Sequence, residues 1–178
     1  MRVRPKTLSA LWHLSGPEWR LLAEAGGWLV AARLAVWFVP FRRLAAGLGD
    51  KMVESPAAEN EVQRATVAPI GWAVQGLGRR LPWMSQCLVQ AVAATWMLQR
   101  RRIPSTLYFG LAKDVSGQLE AHAWVRSGTQ VLTGARGRDA FTVVATFAAP
   151  GLSTGPDHAI PPLMDPSAKR QPDEGDFR

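Results

Sequence analysis

Cysteine is nearly absent from this chain: 178 residues hold one, Cys87. A lone thiol excludes an internal disulfide and any cysteine-built metal site, and it fits a reducing compartment. Three histidines (His13, His122, His158) and a single tyrosine, Tyr108, leave few groups for acid–base work. Carboxylates are outnumbered, with 14 Asp and Glu against 21 Lys and Arg and a net charge of +7. The surplus is uneven: residues 1–150 carry 18 basic against 9 acidic side chains, whereas residues 151–178 carry 3 against 5. A basic body suits an acidic peptide, a nucleic acid or a membrane surface, although arginine spread over a solvated surface gives the same count. No helix-turn-helix or RNA-binding pattern is present, so nucleic acid is not an expected partner.

A long uninterrupted apolar run is missing too. Leu21 to Phe41 is the most hydrophobic stretch, but Glu24 and Arg33 interrupt it and Pro40 closes it. A membrane-spanning helix wants roughly 20 mostly apolar residues with few charges. The expectation is therefore a buried or partner-facing helix, and a membrane is not an expected partner. Arg2, Arg4 and Lys6 are followed by Trp12, His13, Glu18 and Arg20, which does not read as a secretory signal. The expected location is the cytoplasm.

The chain has material for one domain with a real core, since 47% of its residues are apolar. Residues 1–16 read as a basic arm. Residues 17–47 read as a helix, with Pro17 in its first turn, Arg42-Arg43 near its end, and Gly26-Gly27 weakening its middle. Four of the eight tryptophans fall before residue 40 (Trp12, Trp19, Trp28, Trp37), a packing surface expected to close the domain's own core. Residues 50–68 form a polar connector with a short helix, and residues 69–84 a short helix and a loop. A helix from about Gln86 ends at Arg100-Arg101-Arg102, where the cations complement its dipole and Pro104 blocks continuation. The period then changes to that of strands: 106–111, a turn at 114–117, 119–126, a hairpin turn at Ser127-Gly128, 130–133, and 141–147. Six prolines between 150 and 172 mark residues 150–178 as a disordered tail. The predicted organisation is an arm (1–16), a helical region with connector (17–68), an α+β core (69–149) and a tail (150–178). In that core a helix packs on a small antiparallel sheet.

Cys87 opens the helix that starts near Gln86, with Ser85 placed to cap its first turn. His122 lies in the strand Ala121-His122-Ala123-Trp124-Val125. Helix N-termini favour the thiolate in general, and an imidazole can take a thiol proton and return it to a leaving amine. The free N–H groups of the first turn offer a place for an oxyanion. An ordinary buried thiol and a core histidine account for either residue taken alone.

Taken in order, Ser85-Gln86-Cys87-Leu88, Leu98 to Pro104, Tyr108-Phe109-Gly110-Leu111, Ala121 to Val125, Val131-Leu132-Thr133-Gly134 and Phe141-Thr142-Val143 resemble the lasso peptide biosynthesis B proteins. These are leader peptidases of the transglutaminase-like (papain-like) superfamily. The resemblance covers Leu81 to Phe147, and more loosely the helix ending Pro40-Phe41-Arg42-Arg43-Leu44. It implies a papain/transglutaminase-like core and a cysteine peptidase that cuts the leader from a ribosomally made precursor peptide. Cys87 maps to the nucleophile and His122 to the general base. It also implies a separate winged-helix leader-recognition protein and an ATP-dependent lasso cyclase as partners. No bound cofactor or metal is expected, ATP entering only through the overall maturation. The same fold also accommodates an acyl transferase, and a non-catalytic peptide- or partner-binding module is the reading from a different class.

The family usually completes its triad with an aspartate on the strand after the histidine. A two-residue turn at Ser127-Gly128 sets Arg126 against Thr129 and so His122 against Thr133; a three-residue turn sets it against Gly134. Neither is a carboxylate. Asp139, past the following loop, is the candidate third member, with Asp114 in the preceding turn as another. Thr133, Gln130 or a backbone carbonyl are substitutes able to orient the base. Asp139 also reads as a loop acid pairing with Arg136 or Arg138.

Overall fold

The computed structural model describes residues 15–58, 61–81 and 86–148. Most of the expected arm, the tail and the Ser85 cap fall outside the described residues.

Helix α1 (Gly16–Phe38) begins on a sequence signal for a helix start. The Glu18 carboxylate reaches back to accept the Ser15 backbone N–H and hydroxyl, both at 2.8 Å, as the Ser-x-x-Glu spacing allows. The single helix expected over 17–47 is two. Val39 is extended, Pro40 follows, and α2 (Phe41–Ala46) starts beyond it. The proline ring disfavours helical geometry in the residue before it and brings no N–H to continue the ladder. After a two-residue strand β1 (Asp50–Lys51), α3 (Glu61–Arg80) runs straight through Pro69 and across the 68/69 division. Burial of Ile70, Ala73 and Val74 holds its second half in place despite the lost backbone bond.

Helix α4 (Cys87–Arg100) ends in a Schellman motif. Ile103 N–H donates to Leu98 O at 3.0 Å and Arg102 N–H to Gln99 O at 2.9 Å, with Arg102 left-handed at φ 54°. Ile103 and Leu98 both join the core, which reverses the chain into the sheet.

The sheet comprises β1, β2 (Thr106–Lys113), β3 (Leu119–Ser127), β4 (Gln130–Thr133) and β5 (Thr142–Ala148), all antiparallel in the order β1-β5-β2-β3-β4. Helices α1, α3 and α4 pack on one another, and α4 lies against β3. Leu29 from α1, Val74 from α3, Val92 and Met97 from α4, and Leu107, Val125 and Phe147 from the sheet close one core. The expected α+β class is observed. Strand side chains alternate between faces. Ala123 and Val125 therefore face the helices, and His122, Trp124 and Arg126 lie on the opposite face of the sheet.

Candidate active site

Cys87 is the first residue of α4, half-buried and packed against the edge of the core. The preceding residue, Gln86, is extended and makes no side-chain cap. It is instead held from outside by the Arg33 guanidinium of α1. The first helical bond is Gln90 N–H to Gln86 O at 3.2 Å, so the N–H groups ahead of it find no carbonyl within the helix.

His122 stands opposite Gly110 in β2. Its ring lies 5.0 Å from Phe141 and 5.8 Å from Trp124, centroid to centroid. Its Nε2 is 2.8 Å from the Gly134 carbonyl oxygen. A carbonyl only accepts, so Nε2 carries the proton and donates, leaving Nδ1 as the basic atom.

The hairpin register differs from the expected one. The turn is Gly128-Thr129, with Ser127 paired to Gln130 and Arg126 to Val131. A bulge then pairs Val125 with Thr133. The later turn shifts the pairing by two residues and the extra residue in β4 by one more, so Thr133 stands opposite Val125, three positions short of His122 on the turn side. Thr133 is fully buried and its hydroxyl has no partner among the described residues, so it does not orient the imidazole. Of the candidate orienting groups, a backbone carbonyl is the one that meets it. Gly134 is left-handed (φ 67°), and a Cβ there would stand 2.4 Å from Ala123 O, so no carboxylate can occupy that position in this backbone.

Asp139 sits in the short 3₁₀ turn Arg138–Ala140. Its side chain is 92% exposed and pairs with Arg138 at 3.3 Å. It lines a cavity of about 300 Å³ on the outer face of the sheet with Tyr108, Trp124, Arg126, Phe141 and Val143. Asp139 and His122 thus share a sheet face and the neighbours Trp124 and Phe141, without a hydrogen bond between them. Asp114 serves its own turn: its carboxylate accepts from the Ser116 hydroxyl (2.7 Å) and from Ser116 and Gln118 N–H. The Ser116 hydroxyl above all lowers its pKa. The imidazole is on the face away from α4, and the described contacts of His122 do not include Cys87. Nor does the geometry set Asp139 behind it.

Sequence reasoning missed the network beside this face. Tyr108 Oη donates to Glu54 Oε2 (2.7 Å), and Arg126 donates through Nε to Tyr108 Oη (2.8 Å) and through a terminal nitrogen to Glu54 (3.0 Å) and Ser55 O (2.9 Å). Trp124 stacks on Tyr108 with planes 3° apart. Burial, followed by the bond to Glu54, pushes the phenol up to about 12. Glu54 is far from Tyr108 in sequence, and no local pattern points to it. No His, Cys, Asp and Glu cluster able to hold a metal occurs among the described residues.

A thiol at the start of a central helix, packed on an antiparallel sheet that carries the strand-borne histidine, places the chain among helix-plus-sheet α+β domains. A family model described as the transglutaminase-like superfamily matches residues 29–146. The chain belongs to that superfamily, which generally comprises cysteine-dependent enzymes, cysteine peptidases and acyl transferases among them. The matched span begins inside α1 and contains both Cys87 and His122. No curated protein and no solved structure gives a significant match.

Proposed function

We propose that this protein is a cysteine peptidase that removes the leader from a ribosomally made lasso precursor before macrolactam formation, in the cytoplasm. The observation that carries it is Cys87 at the first residue of α4 inside a transglutaminase-like unit. In this reading the thiolate attacks the scissile carbonyl and the N–H groups at the helix start receive the oxyanion. His122, on leaving Gly134 O to reach the thiol, takes its proton and gives it to the leaving amine as the C–N bond breaks, and water then hydrolyses the thioester to free the leader acid and the thiol. The ordered motifs from Leu81 to Phe147 support the lasso substrate class, with a separate winged-helix protein presenting the leader and an ATP-dependent cyclase taking the product.

A second reading, a non-catalytic peptide- or partner-binding module, is favoured by one observation: His122 is bound to Gly134 O on the face away from α4. An acyl transferase uses the same thioester with an amine in place of water.

The test is to incubate the chain with the precursor encoded beside it, with and without the recognition partner, and weigh the products. Leader loss that disappears in a folded Cys87→Ala variant supports the peptidase. Amide formation with an added amine identifies the transferase. Cleavage that survives in Cys87→Ala excludes the thiol mechanism. Cleavage that survives only in His122→Ala means that Cys87 works with another base.

A further inference from the structure

Helix α1 is apolar on both sides. Leu22, Ala25, Leu29 and Ala32 are buried against the domain. At 100° per residue, Trp19, Ala23, Gly27, Val30, Leu34 and Trp37 form a second stripe about a third of a turn away from that face, and all six are exposed. Trp37 is 61% exposed and Phe38, at the tip, 77%. Such a face runs the length of a 23-residue helix, about 34 Å, and a contiguous exposed apolar stripe rimmed by polar residues marks an interaction surface.

The rim of the stripe has one sign. Arg20 and Arg33 flank it on opposite sides, and Arg42 and Arg43 follow in α2. Arg20, Arg42 and Arg43 form no ion pair among the described residues, and Arg33 lies over Trp37 at 4.4 Å. The two carboxylates between residues 16 and 43 are turned away: Glu18 caps the helix and Glu24 pairs with Arg101 on the domain side. A second copy seated on this stripe would bring arginines against arginines with no acid to meet them. An anionic surface that accepts apolar side chains removes both problems at once.

We infer that the outer face of α1 and the start of α2 form a docking surface for an anionic lipid bilayer. The helix lies flat in the interface, with tryptophan at each end of the stripe and arginines at headgroup level. The buried face and the Glu24–Arg101 pair keep α1 on the domain, so it lies on the bilayer and does not cross it. The inference is independent of the chemistry proposed for Cys87.

The full chain is mixed with vesicles of phosphatidylcholine alone and of phosphatidylcholine with phosphatidylglycerol, then floated on a density gradient. The expected result is flotation with the anionic vesicles only, weakened by high salt. The variant Leu34→Ser/Trp37→Ser/Phe38→Ser should partition about tenfold or more weakly. Arg42→Gln/Arg43→Gln should lose about fivefold per arginine. Circular dichroism establishes that each variant is folded, and all substituted side chains are exposed. Four results overturn the inference: no flotation, equal flotation with neutral vesicles, undiminished flotation of the folded serine variant, or concentration-dependent self-association that the serine variant abolishes.

Discussion

A methyl group on Gly110 would stand 2.8 Å from both Phe141 Cβ and the Trp124 ring. These are the two aromatic residues that hold His122, so Gly110→Ala should destabilise the fold by about 1–3 kcal/mol, read as a lower denaturant midpoint with unchanged slope. Tyr108 offers a cleaner measurement because it is the only tyrosine. Its phenol is pushed up to about 12 from an ordinary 10.0 by burial and by the Glu54 hydrogen bond. A raised acid pKa contributes stability that is complete below about 10 and lost as pH rises through about 12. A tyrosinate absorbance titration of the folded protein should therefore have its midpoint near 12, and Glu54→Gln should lower it. A folded-state midpoint near the ordinary value would contradict the Tyr108–Glu54–Arg126 network.

Elements in this fold end where local chemistry says they should, and are tied together by bonds that local chemistry does not announce. The Schellman turn after α4 has arginine where glycine is usual, with Arg102 at φ 54°. Arg102→Gly should stabilise the protein by about 1 kcal/mol, measured as a raised melting temperature. Helix α1 is tied to the end of α4 by a two-pronged pair, Arg101 to both Glu24 oxygens at 2.8 and 2.6 Å. The Arg101 hydrogen bond is the largest cause that holds Glu24 below its ordinary 4.5. A lowered carboxylate pKa gives stability that is present above about 4.5 and disappears as pH falls through the folded value. Glu24→Gln should cost about 1 kcal/mol or less at neutral pH, because both side chains stay partly in water. The gap to the parent protein should close in acid, followed by denaturant melts across that range.

At the scale of the whole molecule, α1, α3, α4 and the sheet share one core, so damage in α1 should be felt everywhere. Leu29→Ala, at a site with no exposed surface, should cost about 2–5 kcal/mol, and helix and aromatic signals should still melt in one transition; separate melting of α1 would argue against a shared core. Much of this architecture was legible in the amino-acid order. Pro104 and the arginine triplet mark the end of α4, the strand-like stretches from Thr106 to Phe147 mark the sheet, and Cys87 stands at the helix start that its neighbours predict. Those are local facts, set by backbone geometry within a few residues. Pro69 misled because burial of the residues after it outweighed one lost backbone bond. The hairpin arithmetic failed because the turn lies at Gly128-Thr129 and a bulge adds one residue more, which together leave Thr133 opposite Val125, short of His122. Sequence alone determined the start and end of α4, the strands that follow it, the two candidate reactive side chains and the apolar run of α1. Tertiary structure decided which face of the sheet carries His122, that a backbone carbonyl meets it, and which side of α1 is left to solvent. Those depend on register and on packing between segments far apart in the chain, where one shifted residue turns a side chain to the other side.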